Sequence, residues 1–259
     1  MIKATQSHLS PHRVSRFMVA VLVLALGSIA TLGSEAFAQD KGQGPADMSA
    51  DQVAERVQKF YKETDDYQAR FKQTYTDVAA GSAKKSHGVV YFKKPGQMRW
   101  DYYKSADFKK SDIGAREKVL VSDGATFWIY EQEFKQVFKK CLAESQLPTS
   151  LKFLMGQGNL LEEFDVSFAD ASTAEQPVLE LVPKEPTSKY SKLIFELDAE
   201  TFQVQKTTVF DPYGNTNAIN FQKAKINKNL PSSGFKFEAP KGARELNPQK
   251  ECNSAEVSD

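Results

Sequence analysis

Lys93-Lys94-Pro95-Gly96-Gln97-Met98-Arg99-Trp100-Asp101-Tyr102 is the stretch whose reading decides the fold. Pro95-Gly96 fixes a tight bend, and on either side of it apolar residues recur with a period of two, the spacing of a strand. Counting by twos across the bend places Val90, Phe92, Met98, Trp100 and Tyr102 on one face. A hairpin face this apolar has to press against a core or against something apolar that the protein carries.

The same period continues outward from the hairpin. Upstream, Tyr67, Ala69 and Phe71 alternate with polar residues, and Gly81-Ser82 marks the turn before Val89. Downstream, strands are expected at Val119 to Val121 and Phe127 to Tyr130 around the turn Ser122-Asp123-Gly124, and again over Phe134 to Phe138. Alternation then resumes at Phe164, Val166 and Phe168, at Leu179 and Leu181, at Leu193, Phe195 and Leu197, and at Phe202 and Val204. It ends with Phe210, with Ile219 and Phe221, and with Phe235 and Phe237. About ten short strands separated by turns such as Asp211-Pro212-Tyr213-Gly214-Asn215 predict one large antiparallel sheet. No repeat of 20 to 50 residues is visible, which argues against a propeller or solenoid.

Two helices interrupt this pattern. Ser49-Ala50-Asp51-Gln52 has the form of a capping box, and Val53, Val57, Phe60 and Tyr61 follow at helical spacing, so an amphipathic helix is expected to end near Thr64. Pro148-Thr149-Ser150 opens a short second helix, Leu151-Lys152-Phe153-Leu154-Met155, closed by Gly156 and Gly158. A helix apolar nearly all round must be buried or must cover something apolar. The expected fold class is mainly β (α+β), a strongly curved sheet with helices over its concave face.

At the N-terminus, Lys3, Arg13 and Arg16 precede the apolar run Phe17 to Leu32, and Ala36-Phe37-Ala38 supplies small residues before Gln39. That run is shorter than the roughly 20 residues of a membrane span, so residues 1–38 are expected to be a cleaved secretory signal peptide. Residues 39–48 read as a flexible lead-in, 49–246 as a single domain and 247–259 as a polar tail. Cleavage would remove three basic residues and one acidic residue, Glu35, taking the formal charge from +1 to −1. Nucleic acid is therefore not an expected partner. Two cysteines, Cys141 and Cys252, are present; a disulfide between them would add roughly 3–5 kcal/mol, and the sequence leaves pairing and free thiols both open.

Catalysis finds little support. His87, in Lys85-Ser86-His87-Gly88, is the only histidine after residue 38, and no nucleophile elbow accompanies it. One histidine and two distant cysteines do not make a metal site, and no cofactor is expected.

Several segments, in order, resemble the LolA family, the periplasmic carriers of bacterial outer-membrane lipoproteins. They are Phe71-Lys72-Gln73; Gly88 through Trp100; Val119-Leu120-Val121-Ser122-Asp123-Gly124-Ala125-Thr126-Phe127-Trp128-Ile129-Tyr130; Leu151 to Leu161; and Phe235-Lys236-Phe237-Glu238-Ala239-Pro240-Lys241-Gly242. The resemblance implies an incompletely closed antiparallel β-barrel whose helical lid covers a hydrophobic cavity for acyl chains. The cavity residues it points to are Phe71, Val90, Phe92, Met98, Trp100, Leu151, Phe153, Leu154 and Phe195. A basic residue before the turn proline, commonly arginine, holds the family's lid closed by bonding backbone; Lys94 stands there in this chain, a point charge in place of a planar fork.

Arg99 is the other basic candidate, for the mouth or a partner contact, with a solvated surface arginine as the competing reading. The stretch Lys104 to Gly114 is longer than the usual family link and is expected to form an exposed hairpin. By resemblance the protein is a monomeric periplasmic carrier of triacylated lipoproteins, loaded by an inner-membrane ABC-type exporter and unloaded to an outer-membrane acceptor. The alternative is a periplasmic lipid-binding sensor or envelope-stress regulator of related fold. A carrier must bind loosely, because burying one acyl chain fully is worth roughly 10 kcal/mol.

Overall fold

The computed structural model describes residues 47–142 and 158–246. Helix α1 (Ala50–Glu63) begins at Ser49, whose hydroxyl accepts from the Gln52 backbone while the Gln52 side chain accepts from the Ser49 backbone, completing the expected capping box. The chain then enters the sheet: β1 (Asp66–Asp77), β2 (Ser82–Lys93), β3 (Gln97–Tyr103), β4 (Arg116–Asp123), β5 (Thr126–Glu131) and β6 (Gln136–Cys141). A short helix α2 (Leu160–Glu163) precedes β7 (Phe164–Phe168), β8 (Val178–Pro183), β9 (Lys192–Leu197), β10 (Val204–Phe210), β11 (Thr216–Ile226) and β12 (Arg244–Leu246).

These strands form one sheet in the order β12-β6-β5-β4-β3-β2-β1-β11-β10-β9-β8-β7. Neighbours are antiparallel, except that β12 lies parallel to β6. The sheet curls around α1, since one buried apolar cluster joins Phe127 of β5, Trp100 of β3 and Leu179 of β8 to Val53 and Val57 of the helix. Its outermost strands, β12 and β7, remain edges, so the barrel is incompletely closed.

Turn chemistry sets the register. Between β2 and β3 the Lys94-Pro95 bond is cis, and Gly96 takes a positive φ of 62° that only glycine adopts without strain. With that bend fixed, Val90 pairs with Trp100 and Phe92 with Met98, as the alternation requires.

The opposite, outer face is covered by two irregular straps. Residues 104–115 form the expected long and largely exposed link of the β3–β4 hairpin, pinned to the sheet where Phe108 stacks on Tyr103 at 4.0 Å with the Arg70 guanidinium 4.3 Å above its ring. A second strap runs from Asn227 to β12. Asp66 accepts the backbone N–H groups of Lys228 and Leu230, a 3-10 turn over Ser232–Phe235 buries Phe235, and Phe237 packs on Trp128 and Tyr130. Phe235 and Phe237, expected in a strand, therefore sit in this strap. Pro231 starts the turn and Pro240 follows it, and neither has an N–H to offer a ladder. The segment 143–157, with the expected helix at Leu151 to Met155, the expected signal peptide 1–38, residues 39–46 of the lead-in and the tail 247–259 lie outside the described residues.

Candidate functional site

The inner face is a basin of aromatic side chains. Phe71 is its centre, 4.9 Å from both Trp100 and Tyr102 in edge-on contacts, and Trp100 in turn meets Phe92 at 5.9 Å. Gly88 makes this possible: a Cβ there would lie 2.0 Å from the Asp101 carbonyl oxygen and 2.7 Å from the Phe71 ring. Of the expected cavity residues, Phe71, Val90, Phe92, Met98, Trp100 and Phe195 are all buried in this one cluster. Leu151, Phe153 and Leu154 lie outside the described residues.

Polar atoms are scarce in the basin. The Trp100 indole N–H and the Thr207 hydroxyl are buried without a hydrogen-bond partner, each at a cost of about 1–3 kcal/mol. Burial pushes the phenols of Tyr61 and Tyr102 well above their ordinary range, so both stay neutral hydrogen-bonding groups.

Helix α1 covers the basin and is fastened at its C-terminal end. Lys94 Nζ donates to the carbonyl oxygens of Tyr61 at 2.9 Å and Lys62 at 2.6 Å, placing a cation at the negative end of the helix dipole. The Lys94 N–H also donates to the Asp65 carbonyl, fixing the cis turn beneath the helix end. Partial burial lowers the Lys94 pKa, with Asp65 opposing and Lys62 adding to the shift. Tyr61 Oη accepts from the Val204 N–H of β10, and Gln58 Oε1 accepts from the Leu160 N–H at the start of α2. Tyr61 and Gln58 were not singled out in the sequence, because one reads as core and the other as solvated surface.

Arg99 points away from the basin, as its parity requires, but it is not solvated. Its side chain is 19% exposed; Nε donates to Asp101 Oδ1 at 2.9 Å and Nη1 to the Gly234 carbonyl at 3.2 Å. Asp101, 1% exposed, also pairs with Arg116 Nη2 at 3.0 Å. Burial raises the Asp101 carboxyl pKa against the opposing pull of the two guanidinium groups. Cys141 ends β6 and is disulfide-bonded; Cys252 lies outside the described residues. Among the described residues no group of three His, Cys, Asp or Glu side chains is placed to hold a metal ion, and no helix is long and apolar enough to cross a membrane.

Comparison with known proteins matches residues 62–238 to the sequence profile of the family described as outer membrane lipoprotein carrier protein LolA. An outer-membrane lipoprotein carrier protein of Methylobacillus flagellatus is 25% identical over 77% of this chain and 90% of its own. Its counterpart in Dechloromonas aromatica is 26% identical over 74% and 86%. Among solved structures, a LolA superfamily protein from Nitrosomonas europaea aligns at 12% identity and a TM-score of 0.40, covering 73% of this chain and 98% of that one.

Proposed function

The chain belongs to the LolA family, and on that premise we propose that it is a periplasmic carrier that binds the acyl chains of lipoproteins released from the inner membrane and delivers them to the outer membrane. The observation that carries this reading is the aromatic basin of Phe71, Phe92, Met98 and Trp100, sealed by a helix whose end is held by Lys94.

In this proposal the described arrangement, with α1 packed on the basin, is the closed one. Acyl chains reach the basin when α1 lifts, replacing helix side chains such as Val57 and Tyr61 as the apolar partners of the sheet. Exchange of one apolar partner for another keeps the net gain far below the roughly 10 kcal/mol of burying a free chain from water, so release to an acceptor stays within reach. The unpaired indole N–H of Trp100 offers a donor to an ester carbonyl of the cargo. An inner-membrane ABC-type exporter supplies the cargo and an outer-membrane acceptor takes it.

The exported form, incubated with a triacylated lipoprotein or with the same polypeptide lacking acyl chains, tests this by native mass spectrometry. A one-to-one complex with the acylated form alone is expected, weakened by Trp100→Asp. Equal binding of both forms, or of neither, contradicts it.

A further inference from the structure

The outer face carries a cavity that lies apart from the basin of the proposed carrier function. It is a cleft of about 400 Å³ between the strands and the two straps. Tyr91 of β2 and Ile113 of the first strap form one wall; Leu230, Pro231 and Phe235 of the second form the other. Arg99, Asp101 and Arg116 form the floor. The cleft lies across the sheet from Trp100 and the basin, since Arg99 and Asp101 flank Trp100 with opposite parity.

The floor is not electrically balanced. Two guanidinium groups share one buried carboxylate, leaving a surplus positive charge in surroundings whose walls are apolar. Each Asp101 oxygen already holds one guanidinium, Arg99 on Oδ1 and Arg116 on Oδ2. Arg116 Nε is buried and has no hydrogen-bond partner, although arginine ordinarily satisfies its donors when withdrawn from water. Lys110, in cation–π contact with Tyr91, adds to the positive charge, Asp112 on the first strap turns its Oδ1 to the Ala115 N–H, and burial together with the Asp101 charge pushes the Tyr91 phenol up to about 12, keeping it neutral.

We infer that this outer cleft is a binding site for an apolar monocarboxylate, its carboxylate taken by Arg116 and its body by the walls of Tyr91, Ile113, Leu230 and Phe235. A carboxylate matches the planar guanidinium fork and the single surplus charge, and the volume suits a body of about ten heavy atoms. Such a group occurs on a free organic acid or at the C-terminus of a polypeptide ending in a large apolar residue. The site is independent of acyl-chain carriage and stands or falls separately from it.

The test titrates 4-phenylbutyrate into the exported form and follows the backbone amide resonances. One-to-one binding with shifts at Tyr91, Gly234 and Phe235, and none at Phe71 or Trp100, is expected, at least tenfold tighter than for 4-phenylbutyramide. Ile113→Asp sets a repelling charge at the rim on a side chain that is 66% exposed, so it leaves the fold intact and weakens binding at least tenfold. Arg116→Met should abolish binding, and Arg116→Lys, which keeps the charge and loses the fork, should retain part of it. A hexapeptide ending in Phe distinguishes the sources. Binding with a free C-terminus but not with an amidated one assigns the site to polypeptide ends, and binding of phenylbutyrate alone assigns it to small acids. Equal affinity for acid and amide, indifference to Ile113→Asp, or shifts confined to the basin overturns the inference.

Discussion

Gly88 shows how one residue governs the basin. Its missing side chain lets Phe71 lie against the β2 backbone between Trp100 and Tyr102. Gly88→Ala would drive a methyl group into the Asp101 carbonyl of the paired strand, a backbone atom that cannot step aside, so a loss of more than about 3 kcal/mol is expected in urea denaturation. Asp198 is the opposite case, a side chain that stabilises by accepting. Its carboxylate takes the backbone N–H groups of Thr201 and Glu200 and the side chains of Thr201 and Gln205, and the backbone bond from Thr201 leads in holding its pKa below the ordinary carboxylate range. A depressed folded-state pKa means stability that is present above about pH 4 and lost as pH falls through the folded value. Asp198→Asn should therefore be less stable than the parent at pH 6, by about 0.5 kcal/mol after solvent screening at this exposed turn, and equal to it near pH 2. Thermal unfolding at the two pH values measures the difference; an equal gap at both would show that the charge plays no part.

Among the elements, α1 depends on a contact from outside itself. Lys94 reaches the carbonyls of Tyr61 and Lys62 and so binds helix end to hairpin turn. Lys94→Ala should speed amide hydrogen exchange in α1 by about tenfold, in keeping with 1–2 kcal/mol for two charge-assisted bonds at a partly exposed site, while the sheet amides keep their rates. Lys94→Arg should restore protection, and unchanged exchange in Lys94→Ala would mean that α1 is held by its apolar face alone. The strap of residues 104–115 makes a comparable prediction. Phe108→Ala removes the ring between Tyr103 and Arg70, so limited proteolysis should cut within the strap sooner, with the denaturation midpoint of the domain changed little. Local patterns carried much of this architecture. Capping box, Pro95-Gly96 turn and the face of Val90 to Tyr102 all follow from residues within a few positions of one another. Phe235 and Phe237 misled because period-two spacing is shared by a strand and by an extended strap laid on a sheet. The Asp101–Arg116 pair joins neighbours that depend on the β3–β4 register and on its irregularity between Tyr102 and Tyr103, which no spacing rule foresees.

At the scale of the whole molecule, one sheet carries two chemically different faces. The inner face is a continuous aromatic basin beneath α1; the outer face is ridged by straps and holds a charged cleft. Two tryptophans report on them separately, Trp100 buried in the basin and Trp128 packed on Phe237 outside. Acyl carriage requires cargo chains to come within contact of Trp100. In a Trp128→Phe variant, Trp100 is the sole tryptophan, and bromine atoms placed midway along the acyl chains of a lipopeptide quench indole fluorescence only at close range. Strong quenching by the brominated lipopeptide, and none by its unbrominated twin, is the predicted result. Binding of both without quenching would place the cargo elsewhere on the protein and contradict the account.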